Sequence, residues 1–100
     1  MQNTNTPKPI EQPAKQNTPS LMELHIISFV KEFRVKNNIS QNELAKAIGA
    51  NQGFISNVEN PQHRAKYNVD HINSIALYFR VSPKDFLPQY PIKNNIQIKV

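Results

Sequence analysis

Residues 41–60, QNELAKAIGANQGFISNVEN, decide the fold that we predict for this chain. The stretch has the pattern of two short helices joined by a tight turn. Leu44 and Ile48 lie one helical turn apart, and so do Ile55 and Val58, so all four side chains can face one core. The spacing therefore predicts a pair of helices packed through their apolar faces.

Two small residues suit the place where such helices meet. Gly49 can adopt the left-handed backbone conformation that ends one helix and redirects the chain. Ala45 is small, as required where two helices cross closely. With Gln41 opening the first helix, the pattern predicts a helix-turn-helix.

The second helix of the pair, at about residues 52–59, has an outer face of small and amide side chains. These residues are Asn51, Gln52, Gly53, Ser56 and Asn57. Carboxamides of this kind contact base edges in the major groove of DNA. We expect base contacts from Gln52 and Asn57. For Asn51 and Ser56, contact with phosphates or bases and a role in capping and solvating the helix are equally suited to the sequence.

Composition is compatible with DNA binding but does not require it. The chain has 100 residues, enough for one small domain, with a net charge of +5 and a pI near 9.7. A basic balance favours a polyanionic partner. Much of the excess lies near the two ends of the chain, however, so the charge is only supporting evidence.

The sequence shows no motif typical of a metal-binding protein or an enzyme. There is no cysteine, which excludes a disulfide framework and a zinc-finger ligand set. The three histidines have no metal-ligand spacing, and no nucleophile–base set or Gly-rich phosphate loop is visible. We therefore expect no metal, no cofactor, no small-molecule substrate and no catalysis.

The predicted localisation depends on two signals that the sequence does not show. No apolar run approaches the roughly 18 residues of a membrane span, and the polar amino terminus lacks a secretory signal. We expect a cytoplasmic protein that does not contact the membrane.

The composition divides the chain into three parts. Residues 1–20 contain four of the eight prolines and few large apolar side chains, and we predict that they are disordered. Residues 21–88 carry nearly all of the periodic hydrophobicity and form the predicted domain. Residues 89–100 are a short tail in which Ile96, Ile98 and Val100 alternate with polar residues, a weak strand signal.

Five helices are predicted in the domain, which makes the fold class all-α and compact. They span about Leu21–Asn37, Ser40–Gly49, Asn51–Glu59, a segment starting after Asn68, and one or two turns starting at Ser82. The fourth is expected to present an apolar face of Val69, Ile72, Ile75, Ala76 and Phe79. Phe86 and Leu87 are expected to close the core.

With these residues in view, the chain resembles the Cro/CI-like, or XRE, family of helix-turn-helix regulators, which includes the lambdoid phage repressors. The resemblance covers residues 21–88 and is strongest from Ser40 to Glu59. It implies a lambda-repressor-like domain that binds double-stranded DNA through the major groove. It also implies a homodimer on a two-fold-symmetric operator, without cofactor or catalysis.

The resemblance also implies roles for individual residues. Gln41 matches the residue that supports the DNA backbone and the recognition helix. Gln52, Gly53 and Asn57 match positions that face base edges, although Gly53 stands where a polar side chain is more usual. Asn60 matches a phosphate contact just after the recognition helix.

Further roles concern charged residues. Arg34 and Glu59 match a partly buried salt bridge that, in some members, ties the first helix to the end of the third. Arg64 and Lys66, with His63 and Tyr67, lie in a polar connection longer than in the compact phage repressors. We expect phosphate contacts from this connection, and these would give affinity but little sequence choice.

Several alternatives stay open. The predicted function is that of a transcriptional regulator, most simply a repressor, but the same scaffold can serve an antitoxin or adaptor whose partner is a protein. Phe54 can pack against the following connection or contact a thymine methyl. A dimer can form through the fourth and fifth helices or through strand pairing by residues 96–100.

Overall fold

The computed structural model of the protein describes residues 18–93, and its helices begin where the sequence supplies capping side chains. There are four α-helices and one short 3-10 helix: α1 Leu21–Lys36, α2 Gln41–Ala47, α3 Gln52–Glu59, α4 Val69–Phe79, and the 3-10 helix Pro83–Phe86. The segment 1–17 and the segment 94–100 lie outside the described residues. The disorder predicted for the amino terminus and the strand predicted for residues 96–100 therefore stay predictions.

The helix starts predicted at Ser40, Asn51 and Ser82 are confirmed, and each of these residues is an N-cap. The Ser40 hydroxyl accepts from the Glu43 N–H at 3.0 Å, and the Glu43 carboxylate accepts from the Ser40 N–H at 2.7 Å. Asn51 Oδ1 accepts from the Phe54 N–H at 2.8 Å. Each bond satisfies a backbone donor that the first turn of a helix leaves without an intrahelical partner.

The turn between α2 and α3 has the predicted backbone. Gly49 has φ of 73°, in the left-handed region, and a Cβ there would meet nothing within 4 Å. The demand at this position is therefore conformational rather than steric.

One apolar core lies between the helices. Its buried residues are Ile26, Ile27, Val30, Leu44, Ala45, Ile55, Val58, Tyr67, Ile75, Ala76, Phe79 and Phe86. Stacked and tilted rings join α1 to the carboxyl-terminal elements: Phe33 lies 4.1 Å from Phe79, and Phe29 lies 5.0 Å from Phe86, measured between ring centroids. The aliphatic residues of α2 and α3 pack on the other side of this core.

Three predictions about the core and its elements need correction. The fifth helix is a single 3-10 turn, because Pro83 and Pro88 leave no room for an α-helix between them. Leu87 is 49 % exposed, because the chain is extended after Phe86 and turns this side chain away. Val69 is 79 % exposed, because it lies at the first position of α4, before the part of the helix that packs on the core.

Within residues 18–93, none of the helices combines the length and apolar character needed to cross a membrane.

Candidate nucleic-acid interface

Helix α3 has one buried face and one exposed face. Ile55 and Val58 are buried, while Gln52, Ser56 and Asn57 are exposed. The two carboxamides predicted to contact bases therefore both lie on the protein surface. The first turn of α3 has no acidic side chain that would repel a phosphate.

The capping bond at the amino-terminal end of α3 explains why glycine is favourable at position 53. A Cβ at Gly53 would lie 3.3 Å from Asn51 Oδ1, the atom that caps the helix. Gly53 thus leaves room for the capping amide, as well as leaving the outer surface flat. Asn51 is exposed, but this oxygen is already committed to the Phe54 N–H.

A hydrogen bond between side chains joins α2 to the start of α3. Gln52 Nε2 donates to Gln41 Oε1 at 3.1 Å, and Gln41 Nε2 donates to Glu59 Oε1 at 3.0 Å. Gln41 therefore bonds to both the first and the last residue of α3.

An ion pair fixes the end of α3 to α1. Arg34 Nε donates to Glu59 Oε2 at 2.9 Å, and Arg34 Nη2 donates to Glu59 Oε1 at 2.8 Å. The two side chains are only 11 % and 4 % exposed. Arg34 Nη1 also donates to the Ile39 carbonyl at 2.7 Å, in the connection between α1 and α2. A bidentate pair of this kind is more specific in geometry than a single ionic contact.

The ion pair stabilises the charged form of Arg34. Hydrogen bonding to Glu59 raises the pKa of Arg34 above its usual value, against the opposing effect of burial. Removing either partner would leave an uncompensated charge in a mostly buried site, which is strongly destabilising. The pair therefore holds α3 in a fixed orientation on α1 and α2.

The connection from α3 to α4 contains the other predicted phosphate contacts. Asn60 is exposed, and its Oδ1 accepts from the Gln62 N–H at 2.9 Å. Arg64 is exposed and, together with Thr18, Gln62 and His63, lines an open cleft of about 390 Å³. Arg64 is thus positioned at the surface between this connection and the start of α1.

Lys66 has a partner that sequence analysis did not identify. Its Nζ lies 2.9 Å from Glu23 Oε2 on α1, with the two side chains 52 % and 31 % exposed. An exposed pair of this kind contributes little stability. Lys66 can contact a phosphate only by exchanging this partner, and sequence alone gave no signal for a contact across 43 positions.

The phosphate contact expected of Tyr67 is wrong. The residue is 5 % exposed, and its hydroxyl is buried without a hydrogen-bond partner among the described residues. Burial and the nearby Glu59 carboxylate raise the pKa of Tyr67, so the phenol stays neutral. The aromatic ring of Tyr67 packs in the core. Its polar sequence neighbours gave no indication of this burial.

Three rings join α3 to the elements that follow. Phe54 lies 6.0 Å from Tyr67 and 4.8 Å from His71, measured between ring centroids. The prediction that Phe54 packs against the following connection is confirmed. His71 also completes the cap of α4, since its Nδ1 accepts from the Asn68 N–H at 3.1 Å while Asn68 Oδ1 accepts from the His71 N–H at 2.7 Å.

Among residues 18–93, no group of three or more histidine, cysteine, aspartate or glutamate side chains is placed to hold a metal ion. The surface of α3 instead presents neutral carboxamides on a helix held by hydrogen bonds and an ion pair, and Arg64 and Lys66 lie in the connection that follows it. That arrangement can form hydrogen bonds with a planar, polar partner and attract an anionic backbone.

Comparison with known proteins agrees with this geometry. No curated protein and no solved structure matches the chain. A family model described as helix-turn-helix matches residues 30–86, more than half of the chain, and covers α2, α3 and the turn between them. The chain therefore belongs to the XRE, or Cro/CI-like, family of helix-turn-helix DNA-binding domains.

Proposed function

We propose that this protein is a sequence-specific regulator that places α3 in the major groove of double-stranded DNA and represses transcription by occupying its operator. The observation that carries the proposal is the exposure of Gln52 and Asn57 on a helix held at both ends by hydrogen bonds and an ion pair. A fixed helix loses little conformational entropy on binding, so its contacts contribute more fully to affinity.

The residues divide into two groups by the kind of contact that we propose. Gln52 and Asn57 contact base edges, and a well-placed bidentate carboxamide contributes about 1–3 kcal/mol of discrimination. Gly53 and Ser56 allow the groove floor to approach α3 closely. Asn51 and Gln41, with Asn60, Arg64 and Lys66, contact or support the phosphate backbone, which gives affinity and salt dependence rather than sequence choice.

A homodimer completes the proposal. Leu77 is 79 % exposed on α4, its sequence neighbour Tyr78 is 42 % exposed, and Leu87, just after the 3-10 helix, is 49 % exposed. We propose that this region of α4 and the 3-10 helix forms the two-fold contact, which would place two α3 helices about one turn of DNA apart, ~34 Å. Sedimentation of Leu77→Asp and of a chain ending at residue 90 tests this. A monomer in the first and a dimer in the second is expected, and the reverse pattern would assign the contact to the tail.

Selection of bound sequences from a random duplex pool, at two salt concentrations, tests DNA recognition. We expect the wild-type protein to enrich a palindrome and the double variant Gln52→Ala, Asn57→Ala to lose it. Asn37→Ala, an exposed amide at the carboxyl-terminal end of α1 and outside the residues proposed for DNA or dimer contact, is the matched control and should enrich the same palindrome.

Two other outcomes would overturn the proposal. Enrichment of no sequence, with binding that disappears as salt rises, would indicate nonspecific association alone. Retention of DNA binding by the double variant, with loss of a protein partner in a pull-down, would instead support the antitoxin or adaptor alternative.

A further inference from the structure

One continuous chain of hydrogen bonds joins the Arg34–Glu59 ion pair, which is mostly buried, to the exposed carboxamide of Gln52. Starting from α1, Arg34 donates to Glu59, Gln41 donates to Glu59, and Gln52 donates to Gln41. All three steps lie within 2.8–3.1 Å. We name these four residues the amide relay.

We propose that Glu59 is a positioning residue for base specificity, because it fixes the direction of both carboxamides and so determines which atoms of Gln52 face the DNA. This inference rests on the proposed function of α3 as a DNA-recognition helix. Its basis is the difference between a carboxylate, which only accepts hydrogen bonds, and a carboxamide, which accepts at one end and donates at the other.

The direction of the first amide follows from the ion pair. Both oxygens of Glu59 accept from Arg34, and its side chain is 4 % exposed. Both oxygens of Glu59 therefore act as hydrogen-bond acceptors in this site. Gln41 must therefore turn its Nε2 toward Glu59, since its Oε1 would meet an oxygen there and repel it.

The direction of the second amide follows from the first. With Nε2 of Gln41 held by Glu59, its Oε1 faces Gln52, and Gln52 must present Nε2 to it. One N–H of Gln52 is used in this bond. Among the described residues Gln52 has no other hydrogen-bond partner, so its second N–H and its Oε1 are available to DNA.

A carboxamide that presents one donor beside one acceptor is complementary to the major-groove edge of adenine. The N7 of adenine accepts and its N6 amino group donates, whereas the major-groove edge of guanine offers two acceptors, N7 and O6. A carboxamide free to turn could present both N–H groups to guanine. The amide relay removes this option, so Glu59 favours adenine over guanine at the base that Gln52 contacts without touching DNA itself.

Base selection by two relay variants tests this inference. Glu59→Gln preserves the shape of the side chain but can donate as well as accept, so the direction of the relay is no longer fixed. Gln41→Met breaks the relay and leaves the Arg34–Glu59 pair in place, which keeps the test available if Glu59→Gln does not fold. Glu43→Gln is the matched control, because it removes one carboxylate on α2 outside the relay and retains a group able to cap Ser40.

The base contacted by Gln52 is first identified as the position whose preference disappears in Gln52→Ala. At that position we expect the ratio of adenine to guanine to fall about tenfold in Glu59→Gln and in Gln41→Met, within the range for one bidentate contact. Preferences at the other positions should not change. The affinity for random DNA should not change in Glu59→Gln and should fall in Gln41→Met, because Gln41 is also proposed to support the phosphate backbone. A purely structural role of Glu59 would instead weaken all positions together.

The outcomes separate the two proposals. An unchanged adenine-to-guanine ratio in both variants, in an operator that the wild-type protein still selects, would overturn the inference and leave the proposed function intact. Failure of the wild-type protein to select any sequence would overturn both. A reduced ratio in Glu43→Gln as well would show that loss of charge, not relay direction, causes the change, and would also overturn the inference.

Discussion

At the scale of single residues, Arg80 occupies a backbone conformation that is unfavourable for its type. It ends α4 with φ of 63° and ψ of 43°, in the left-handed region. A residue with a Cβ is disfavoured there by about 1–2 kcal/mol, and glycine is not. We therefore expect Arg80→Gly to be more stable than Arg80→Ala by about 1 kcal/mol, measured by urea unfolding. Comparing these two variants cancels the loss of charge, and equal stabilities would contradict the argument.

Tyr67 gives a second prediction at this scale. Its hydroxyl is buried without a partner among the described residues, while its ring contacts Phe54 and His71. An unsatisfied buried hydroxyl costs about 1–3 kcal/mol, and removing it without changing the ring recovers part of that. We expect Tyr67→Phe to raise the free energy of unfolding by about 1 kcal/mol. Destabilisation by Tyr67→Phe would show that the hydroxyl forms a bond that stabilises the fold.

At the scale of helices, the sequence predicted what depends on local chemistry. Ser40 with Glu43, Asn51 and Gly49 mark helix ends through bonds and dihedrals that involve only a few neighbouring residues. The alternation of Ile55 and Val58 with polar residues predicted the buried and exposed faces of α3 for the same reason. These signals identified the candidate recognition surface before any tertiary contact was known.

Tertiary contacts account for what the sequence did not predict. The burial of Tyr67 and the pairing of Lys66 with Glu23 depend on how the α3–α4 connection packs against the rest of the domain. Val69 matches the apolar period of α4 yet is exposed, because periodicity does not show where packing along a helix begins. The directed hydrogen bonds from Gln41 likewise require α2 and α3 to be docked.

The caps of α2 give a prediction at the element scale. α2 has only seven residues, so it depends strongly on its ends, and the Ser40–Glu43 box satisfies two backbone N–H groups. We expect Ser40→Ala to lower the free energy of unfolding by about 1 kcal/mol. Ser28→Ala, at an exposed position inside α1, is the control and should change it by less than about 0.5 kcal/mol. Equal losses in the two variants would exclude the cap as the cause.

At the scale of the whole molecule, Glu23 links the start of α1 to the α3–α4 connection. It also makes the free energy of unfolding depend on pH. Partial burial acts to raise the pKa of Glu23, but hydrogen bonds from the Ser20 backbone and from Lys66, with the charge of that ammonium, together lower the pKa below 4.5. The folded state therefore binds this proton less readily than the unfolded state. The resulting stability is present above the unfolded pKa and is lost as pH falls through the folded one.

Glu23→Gln should remove this dependence. We expect the Tm of the variant to be lower than that of the wild-type protein at pH 7, and the difference to shrink below pH 4. Glu32→Gln, which removes a carboxylate on α1 that is in no ion pair within residues 18–93, is the control. A difference that stays constant from pH 7 to pH 3 would mean that protonation of Glu23 is not responsible.

We expect the same ion pair to affect how DNA binding by the whole molecule depends on salt. Arg64 is exposed and in no ion pair among the described residues, whereas Lys66 must leave Glu23 before it can neutralise a phosphate. Each phosphate neutralised releases counterions and steepens the dependence of log K on log salt by about 0.9. Arg64→Ala should therefore reduce the slope of log K against log salt by about 0.9, and Lys66→Ala should reduce it by clearly less.

The slopes are measured on one operator duplex between roughly 50 and 200 mM salt. Lys31→Ala, which removes an exposed cation on α1 that is in no ion pair within residues 18–93, should leave the slope unchanged. A larger change from Lys66 than from Arg64 would mean that DNA displaces Glu23 at little cost, and that the connection rearranges when α3 enters the groove.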